Sequence, residues 1–330
     1  MNVRSRMVLC VCVLLCMTVP STTRIPMHRT NSTLFTAVTS SPIIGDGDTL
    51  YVGGSGPDNY TSIQAAVNDA NDGDTVFVYD DMSPYQENVA VEEAIRLVGE
   101  DSETTVIDGG GQGDVISVWA DNVTIQDLTI QNGGAGCGIY ALANNSHFHD
   151  NVLRNNEIGI WLERGKANNI SDNKIDNSQK NASYGIQLGG NNNTISHNTI
   201  SNNIIGINVI GKHIRVMRNT ITMNRWGVFV TRWTTEWPNN GAFRGGFNQI
   251  HYNNFIQNRF HAGFEWKDSY KVWDTMHIAD WSNNYWSGWL GILPKPVIGF
   301  GDCIDNYVPE MILFNCDWHP AREPIEWRSS

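Results

Sequence analysis

Aromatic, amide and acidic side chains recur through the middle of the chain behind regularly placed glycines. These glycines are 21, 26, 21, 21 and 36 residues apart, starting from Gly138. The residues two positions after the glycines form a column: Tyr140, Trp161, Gln187, Asn208, Phe229 and Glu265. Sugar rings stack on aromatic side chains, and their hydroxyl groups bond to amides and carboxylates. The column therefore predicts a carbohydrate-binding face. The alternative is a solvated face whose rings only stabilise the sheet.

Acidic and basic groups near this column are candidates for catalysis. A second column, two residues further on, contains Leu142, Glu163, Gly189, Ile210, Thr231 and Lys267. General acid–base chemistry on a sugar would use carboxyl groups close to the bound ring. The candidate acids are Glu163, Glu236, Glu265 and Asp268. Arg232 and Lys267 are candidate charge stabilisers and, with Trp233, candidate ligand contacts. A lyase, a glycoside hydrolase and a protein without catalysis all remain open at this point.

The element that must position these side chains is a repeat of about 22 residues. Its apolar anchors are Ile130, Leu153, Ile175, Ile200, Ile221 and Ile256, at spacings of 23, 22, 25, 21 and 35 residues. Apolar and polar residues alternate with period two within each unit, which is typical of short strands. Such a unit cannot bury its own apolar face and must stack on its neighbours. The repeat therefore predicts an all-β fold, a right-handed parallel β-helix.

Asparagines follow most of the anchors by two residues. They are Asn132, Asn155, Asn177, Asn202 and Asn258. Asparagine tolerates the left-handed backbone conformation that a tight corner needs. Stacked copies can also hydrogen-bond along the axis as a ladder. We therefore interpret these residues as structural.

The two ends of the repeat differ from its middle. Residues 61–70 carry apolar positions at helical spacing, which predicts a short helix over the N-terminal end. Residues 281–330 are rich in tryptophan and are expected to cap the C-terminal end, and residues 231–247 are expected to form a protruding loop. The predicted boundaries are 1–21, a signal peptide; 22–48, a flexible segment; 49–280, the β-helix; and 281–330, the cap.

The N-terminus and the charge predict an exported protein. Two arginines precede an apolar run of about twelve residues, as in a signal peptide, and no other stretch could span a bilayer. We expect a secreted or cell-surface monomer, periplasmic in a Gram-negative host. A formal net charge of −12 argues against nucleic acid as a partner. Export permits disulfides, and Cys303 with Cys316 is the candidate pair.

Several segments and the repeat resemble known β-helix proteins. Residues 61–67, 85–89 and 95–99 resemble the opening of pectin-lyase-like proteins, and the repeats with Asn283-Asn-Tyr-Trp286 resemble NosD-type proteins. The resemblance implies the fold. It implies polysaccharide as a partner, through binding or processing, with a non-enzymatic surface module as the alternative. NosD proteins are associated with copper-site maturation, a second alternative, but His147 and His149 alone are not a metal site. The catalytic motifs of polygalacturonases, alginate epimerases and pectin methylesterases are absent, and Val118-Trp-Ala-Asp-Asn122 departs from the pectate lyase motif at two positions. The sequence requires no cofactor and leaves calcium open.

Overall fold

The computed structural model describes residues 47–177, 184–233, 246–267, 279–289, 295–302, 311–317 and 319–326. In this part of the chain the backbone winds through three long sheets, which we call A, B and C. The predicted signal peptide, nearly all of the predicted flexible segment and Cys303 lie outside the described residues, so those expectations remain predictions.

The described strands are short and recur in the order A, B, C. Sheet A contains Thr49–Val52, Thr75–Val78, Arg96–Gly99, Thr124–Gln126, His147–His149, Asn169–Ser171, Thr194–Ser196, Arg215–Met217, Asn248–His251 and Ala279–Ser282. Sheet B contains Tyr85–Gln86, Val106–Asp108, Thr129–Gln131, Val152–Arg154, Lys174–Asp176, Thr199–Ser201, Thr220–Thr222, Asn254–Ile256 and Tyr285–Trp286. Sheet C contains Val89–Val91, Ile116–Val118, Cys137–Ala141, Ile158–Leu162, Tyr184–Leu188, Ile205–Val209, Trp226–Trp233, Phe260–Lys267, Lys295–Asp302 and Met311–Asp317.

Each strand pairs with the equivalent strand of the next coil. The pairing is parallel along the helix, as between His147–His149 and Asn169–Ser171. The described exception is the last pair of sheet C, Lys295–Asp302 with Met311–Asp317, which is antiparallel. Stacked parallel coils of this kind are a β-helix, so the predicted fold class is confirmed. Successive coils are about 4.8 Å apart, the spacing between hydrogen-bonded strands.

The N-terminal end of the core is covered by a helix, α1, Ile63–Asp69. The Ser62 side chain caps it by accepting a hydrogen bond from the Ala65 amide. The Glu87 carboxylate accepts hydrogen bonds from the Ile63 and Gln64 amides, which satisfies two more unpaired donors of the first turn. Ile63 and two other apolar residues of the helix are buried in the core. The predicted N-terminal helix is thus present, although it is shorter than residues 61–70.

The core is a stack of aliphatic side chains in register. In sheet B, Ile130, Leu153 and Ile175 pair coil to coil and are fully buried. Ile200 and Ile221 continue the stack. Five of the six predicted anchors are therefore confirmed.

The sixth predicted anchor, Ile256, is wrong by one residue. Ile221 pairs with Phe255, which is fully buried, whereas Ile256 is half-buried on the outer face. Because side chains alternate along a strand, a slip of one residue exchanges the inner and outer faces. The aromatic Phe255 replaces the usual aliphatic residue in this coil, which hid it from the repeat pattern.

Most corners of the coils are built from two adjacent residues with different tasks. The first has a positive φ, which turns the chain, and is exemplified by Asp150, His197 and Asn202 at φ 55°, 60° and 59°. The second is buried and hydrogen-bonds along the axis. The sequence prediction assigned both tasks to one position. Asn132, Asn155 and Asn202 do turn the chain, but Asn177 and Asn258 belong to the buried set.

The buried asparagines form ladders along the helix axis. The longest consists of Asn151, Asn173, Asn198, Asn219, Asn253 and Asn284. In each step the backbone N–H and the Nδ2 of one asparagine donate to the Oδ1 of the next, as from Asn173 to Asn198 at 3.0 Å each. The second Nδ2 hydrogen of Asn198 points back to the carbonyl of Ile170. All donors and acceptors of these buried amides are thereby used.

A buried carboxylate ends the longest ladder. Asp317 Oδ2 accepts hydrogen bonds from the Asn284 amide, Asn284 Nδ2 and Trp286 Nε1, at 3.1, 3.2 and 3.0 Å. Its Oδ1 accepts from the His319 amide at 3.0 Å. A carboxylate only accepts at this site, so it can end a row of donors without adding an unpaired N–H. The coils also extend past residue 280, where we expected the cap to begin, because Ala279–Ser282 and Tyr285–Trp286 pair in parallel with the preceding strands.

We predict that Asn198→Ala lowers the free energy of unfolding by about 3 kcal/mol, because it leaves the Asn173 donors buried without an acceptor. Chemical denaturation monitored by circular dichroism measures this. Asn145→Gly is the matched control, since Asn145 is exposed at φ 53° and glycine suits that backbone. A loss for Asn198→Ala no larger than that for the control would contradict the structural role of the ladder.

Candidate functional site

The predicted outward column lies on sheet C. Tyr140, Trp161, Gln187, Asn208 and Phe229 pair in register on successive coils. The residue before each one is fully buried: Ile139, Ile160, Ile186, Ile207 and Val228. Strand alternation therefore places these five predicted ligand-binding residues on the outer face. Whether they bind a ligand remains a prediction.

The column differs from the prediction in the last coil. Phe229 pairs with Gly263, and Glu265 pairs with Thr231. Lys267 pairs with Trp233, two residues beyond its expected place. The reason is that we aligned this coil on Gly263, whereas the position equivalent to Gly227 is His261.

Three aromatic rings stack at the N-terminal end of the column. Trp119, Tyr140 and Trp161 form two edge-to-face pairs, with ring centroids 5.5 and 5.3 Å apart. Such pairs are favourable beyond the area they bury, and they hold each ring in a defined orientation. Trp119 is 48% exposed. We call these three rings the aromatic column.

Trp119 was missed by the sequence prediction. It directly follows Val118, which pairs with Ala141, so it is level with Leu142 in the second column. The preceding coil has no Gly-Ile signal to mark the position, so repeat alignment could not find it. The register of Val118, which pairs with Ala141, is the signal that could have located Trp119.

Glu163 contacts the aromatic column directly. The Tyr140 hydroxyl donates a short hydrogen bond to Glu163 Oε2. Arg164 Nε is 3.9 Å from the other carboxylate oxygen, in an exposed and therefore weak ion pair. Burial, followed by the hydrogen bond and the charge of Glu163, raises the pKa of Tyr140 to about 12. Tyr140 therefore remains a neutral hydrogen-bond donor at physiological pH.

The middle of the column is more polar and less accessible. Asn208 is 6% exposed, and its Oδ1 accepts a hydrogen bond from Thr231 Oγ1 at 3.1 Å. Gln187, one coil earlier, is half-buried. A ligand on this face would therefore contact Gln187 more readily than Asn208.

A row of apolar residues runs beside the outward column on sheet C, and the sequence prediction missed it. Ile158, Tyr184, Ile205, Trp226 and Phe260 pair on successive coils. Trp226 stacks on Phe260 with a centroid distance of 4.4 Å and meets Phe229 edge-on at 5.4 Å. For the first four of these residues, their position directly before a repeat glycine was the available signal. Sheet C thus carries exposed rings toward both ends of its outer face.

For several predicted site residues, the structure does not describe the position of the side chain. The strands that contain Arg232, Trp233, Glu265 and Lys267 are described, but their side chains lie outside the described part. Glu236 and Asp268 lie wholly outside the described residues. These six assignments remain predictions. Of the four candidate acids, Glu163 is the one whose surroundings are known.

The histidines do not gather into a metal site in the described part of the chain. Burial and the neighbouring charge of His149 lower the pKa of His147, and His149 Nδ1 lies 2.7 Å from the Asp150 carboxylate. Among the described residues, no three His, Cys, Asp or Glu side chains come close enough together to hold a metal ion. None of the described helices is long and apolar enough to cross a bilayer.

Comparison with protein families decides the affiliation. The model of the family described as periplasmic copper-binding protein (NosD) matches residues 67–291, more than half of the chain. The chain belongs to the NosD family. Because the family description names copper, copper is the first metal to compare with the residues of this chain. Among the described residues, no three His, Cys, Asp or Glu side chains are grouped so that they could hold it.

Three solved structures with a similar backbone are titled as a pectate lyase, an alginate lyase and a mannuronan C-5 epimerase. The pectate lyase Pel9A has a TM-score of 0.48 and 15% identity, covering 74% of this chain and 70% of that one. An alginate lyase from Paenibacillus sp. str. FPU-7 has a TM-score of 0.38 and 13% identity, covering 66% and 93%. The A-module of the Azotobacter vinelandii mannuronan C-5 epimerase AlgE6 has a TM-score of 0.34 and 13% identity, covering 68% and 88%. No curated protein matches the chain.

We predict that Tyr140→Phe makes the melting temperature fall less steeply between pH 10 and 12. The pKa of Tyr140 is raised above its ordinary value near 10, so the neutral phenol stabilises the fold below pH 10 and that contribution is lost as the pH rises toward 12. Differential scanning fluorimetry over this range measures the effect. Tyr252→Phe, at an exposed tyrosine on the corner between sheets A and B, is the control. Parallel curves for Tyr140→Phe and the unmodified protein would refute the prediction.

Proposed function

We propose that this NosD-family protein is exported and binds glycans on the outer face of sheet C. The observation that carries the proposal is the aromatic column, in which Trp119, Tyr140 and Trp161 stand on consecutive coils beside the Glu163 carboxylate. A sugar chain laid along the helix axis would meet one ring per coil.

Contacts within the protein fix the orientation of the rings in the absence of a ligand. Tyr140 is fixed by edge-to-face contacts with both tryptophans and by its hydrogen bond to Glu163. Side chains that are already ordered lose little conformational entropy on binding, which favours affinity. The Glu163 oxygens can accept hydrogen bonds from sugar hydroxyls next to the stacked ring. These properties support recognition of a neutral ring face with adjacent hydroxyls.

The proposal is for binding rather than cleavage. Glycoside hydrolysis uses two carboxyl groups about 5–10 Å apart. Glu163 is one candidate, and the second would have to be Glu236, Glu265 or Asp268, whose side chains lie outside the described part. Processing of the glycan therefore remains a prediction that rests on the sequence.

We predict that Trp161→Ala weakens glycan binding by at least about tenfold, because stacked aromatic contacts of this kind contribute on the order of 1.5 kcal/mol. A glycan array identifies the ligand, and isothermal titration calorimetry measures its affinity for the variants. Trp119→Ala, at a more exposed ring, is the second variant and is expected to weaken binding in the same direction.

Tyr252→Asn is the control, because it removes a 46% exposed ring from a different corner and suits the local φ of 58°. It should bind as the unmodified protein does. If the folded protein binds no glycan on the array, the proposal fails and the non-enzymatic structural module is favoured. If Trp161→Ala and Tyr252→Asn bind equally well, the proposed face is wrong.

A further inference from the structure

The outer face of sheet B is covered at its N-terminal end by the segment 100–105. Thr129 and Val152 alternate with core residues and point outward, yet they are 0% and 7% exposed. Thr129 Oγ1 donates to the Ser102 carbonyl at 2.6 Å. Glu103 reaches three coils along the axis to Lys174 Nζ, at 3.3 Å. This segment therefore forms a wall over the sheet.

The C-terminal end of the same face is covered by the segment 319–326. Asn254 Nδ2 donates to the Ile325 carbonyl, and the Ile325 amide donates to Asn254 Oδ1, both at 2.8 Å. Tyr285 also forms a bridge with Ala321. Asn254 is only 5% exposed as a result. Between the two covered ends lie the strands Lys174–Asp176, Thr199–Ser201 and Thr220–Thr222, whose outward residues carry charges and hydroxyls.

A cleft of about 410 Å³ opens beside the first wall. Its polar lining comes from Glu103, Gln131, Arg154, Asn155, Lys174 and Asp176. This size suits one or two rings of a small ligand. The cleft lies on a different sheet from the aromatic column.

The hydrogen bonds within the cleft leave the end of one exposed side chain, Arg154, open to a ligand. Arg154 Nε donates to Gln131 Oε1 at 2.8 Å, and Gln131 Nε2 donates onward to Asp108 Oδ2 at 2.7 Å. Asp176 accepts from Ser201 Oγ and from Asn202 Nδ2, and Glu103 pairs with Lys174. Both cleft carboxylates are therefore engaged. Among the described residues, the terminal nitrogens of the Arg154 guanidinium have no hydrogen-bond partner.

We propose that this cleft binds a carboxylate-bearing sugar, with Arg154 holding the carboxylate. The planar guanidinium fork matches a carboxylate in a bidentate geometry. Lys174 lies on the neighbouring coil, where its charge is shared with Glu103 at 3.3 Å, and Asn155 is placed to bond a ring hydroxyl. The Thr and Ser residues of the next two strands continue the polar surface toward the second wall. The net charge of −12 opposes a long polyanion, so the ligand is a short uronate oligosaccharide or a sparsely charged glycan.

The test is a calorimetric titration of the full chain with trigalacturonate and with its fully methyl-esterified form. We expect the acid to bind and the ester to bind at least about tenfold more weakly. Arg154→Gln should weaken binding of the acid at least about tenfold, and Lys174→Gln should weaken it in the same direction. Arg96→Gln is the matched control, because Arg96 is also an exposed arginine on a strand that donates to a glutamine, Gln126, and it lies on sheet A.

Several results would overturn the proposal: no binding of the acid, equal affinity for acid and ester, or equal losses for Arg154→Gln and Arg96→Gln. If acetate or inorganic phosphate displaces the trisaccharide at equal concentration, the cleft is a small-anion site and the sugar assignment is wrong. A loss of trigalacturonate affinity in Trp161→Ala as large as that in Arg154→Gln would place the trisaccharide on the aromatic column and overturn the cleft assignment. The effect of Trp161→Ala separates this site from the aromatic column, so either proposal can fail alone.

Discussion

The hydrogen bonds that pass from each coil to the next are the interaction on which the rest of this structure depends. In a parallel β-helix both edges of an inner strand hydrogen-bond to the equivalent strands of the neighbouring coils, so each coil must repeat the backbone path of the one before. The buried asparagines enforce this repetition. Each amide joins the backbone of its own coil to the coils above and below, and a slip of one residue would leave several buried donors unpaired. Asp317 ends the longest row with acceptors only.

This constraint is what makes surface columns available for recognition. Because coils stack in strict register about 4.8 Å apart, side chains that are over 20 residues apart in sequence become neighbours along the axis. On the outer face of sheet C these neighbours include aromatic rings, and on the outer face of sheet B they are charged and hydroxyl-bearing side chains. The two faces differ in what covers them. Sheet B is bounded by segments 100–105 and 319–326, whereas the aromatic column on sheet C includes a Trp119 that is nearly half exposed.

Much of the fold could be predicted because the same apolar and glycine positions recur in several coils. Five aliphatic anchors and the outward column from Tyr140 to Phe229 were found from spacing alone. The errors have one physical origin, which is that spacing cannot locate a residue where a coil changes length or chemistry. The sixth coil follows a long insertion and uses Phe255 in place of an aliphatic anchor, and this shifted Glu265 and Lys267 by two residues. The division of corners into a turning residue and a buried amide also could not be read from asparagine content, since His197 and Arg218 turn the chain as well.

The site was less predictable than the fold because accessibility depends on neighbours. Asn208 has the expected direction but is buried by Thr231, and Trp119 stands outside the repeat pattern. The central claim is that a glycan lies along the aromatic column, and hydroxyl-radical footprinting with and without the glycan bound tests it at residue level. The account predicts protection of Trp119, Tyr140 and Trp161, with unchanged oxidation of Tyr51 and Tyr252. Protection confined to other faces, or no protection at saturating ligand, would contradict it.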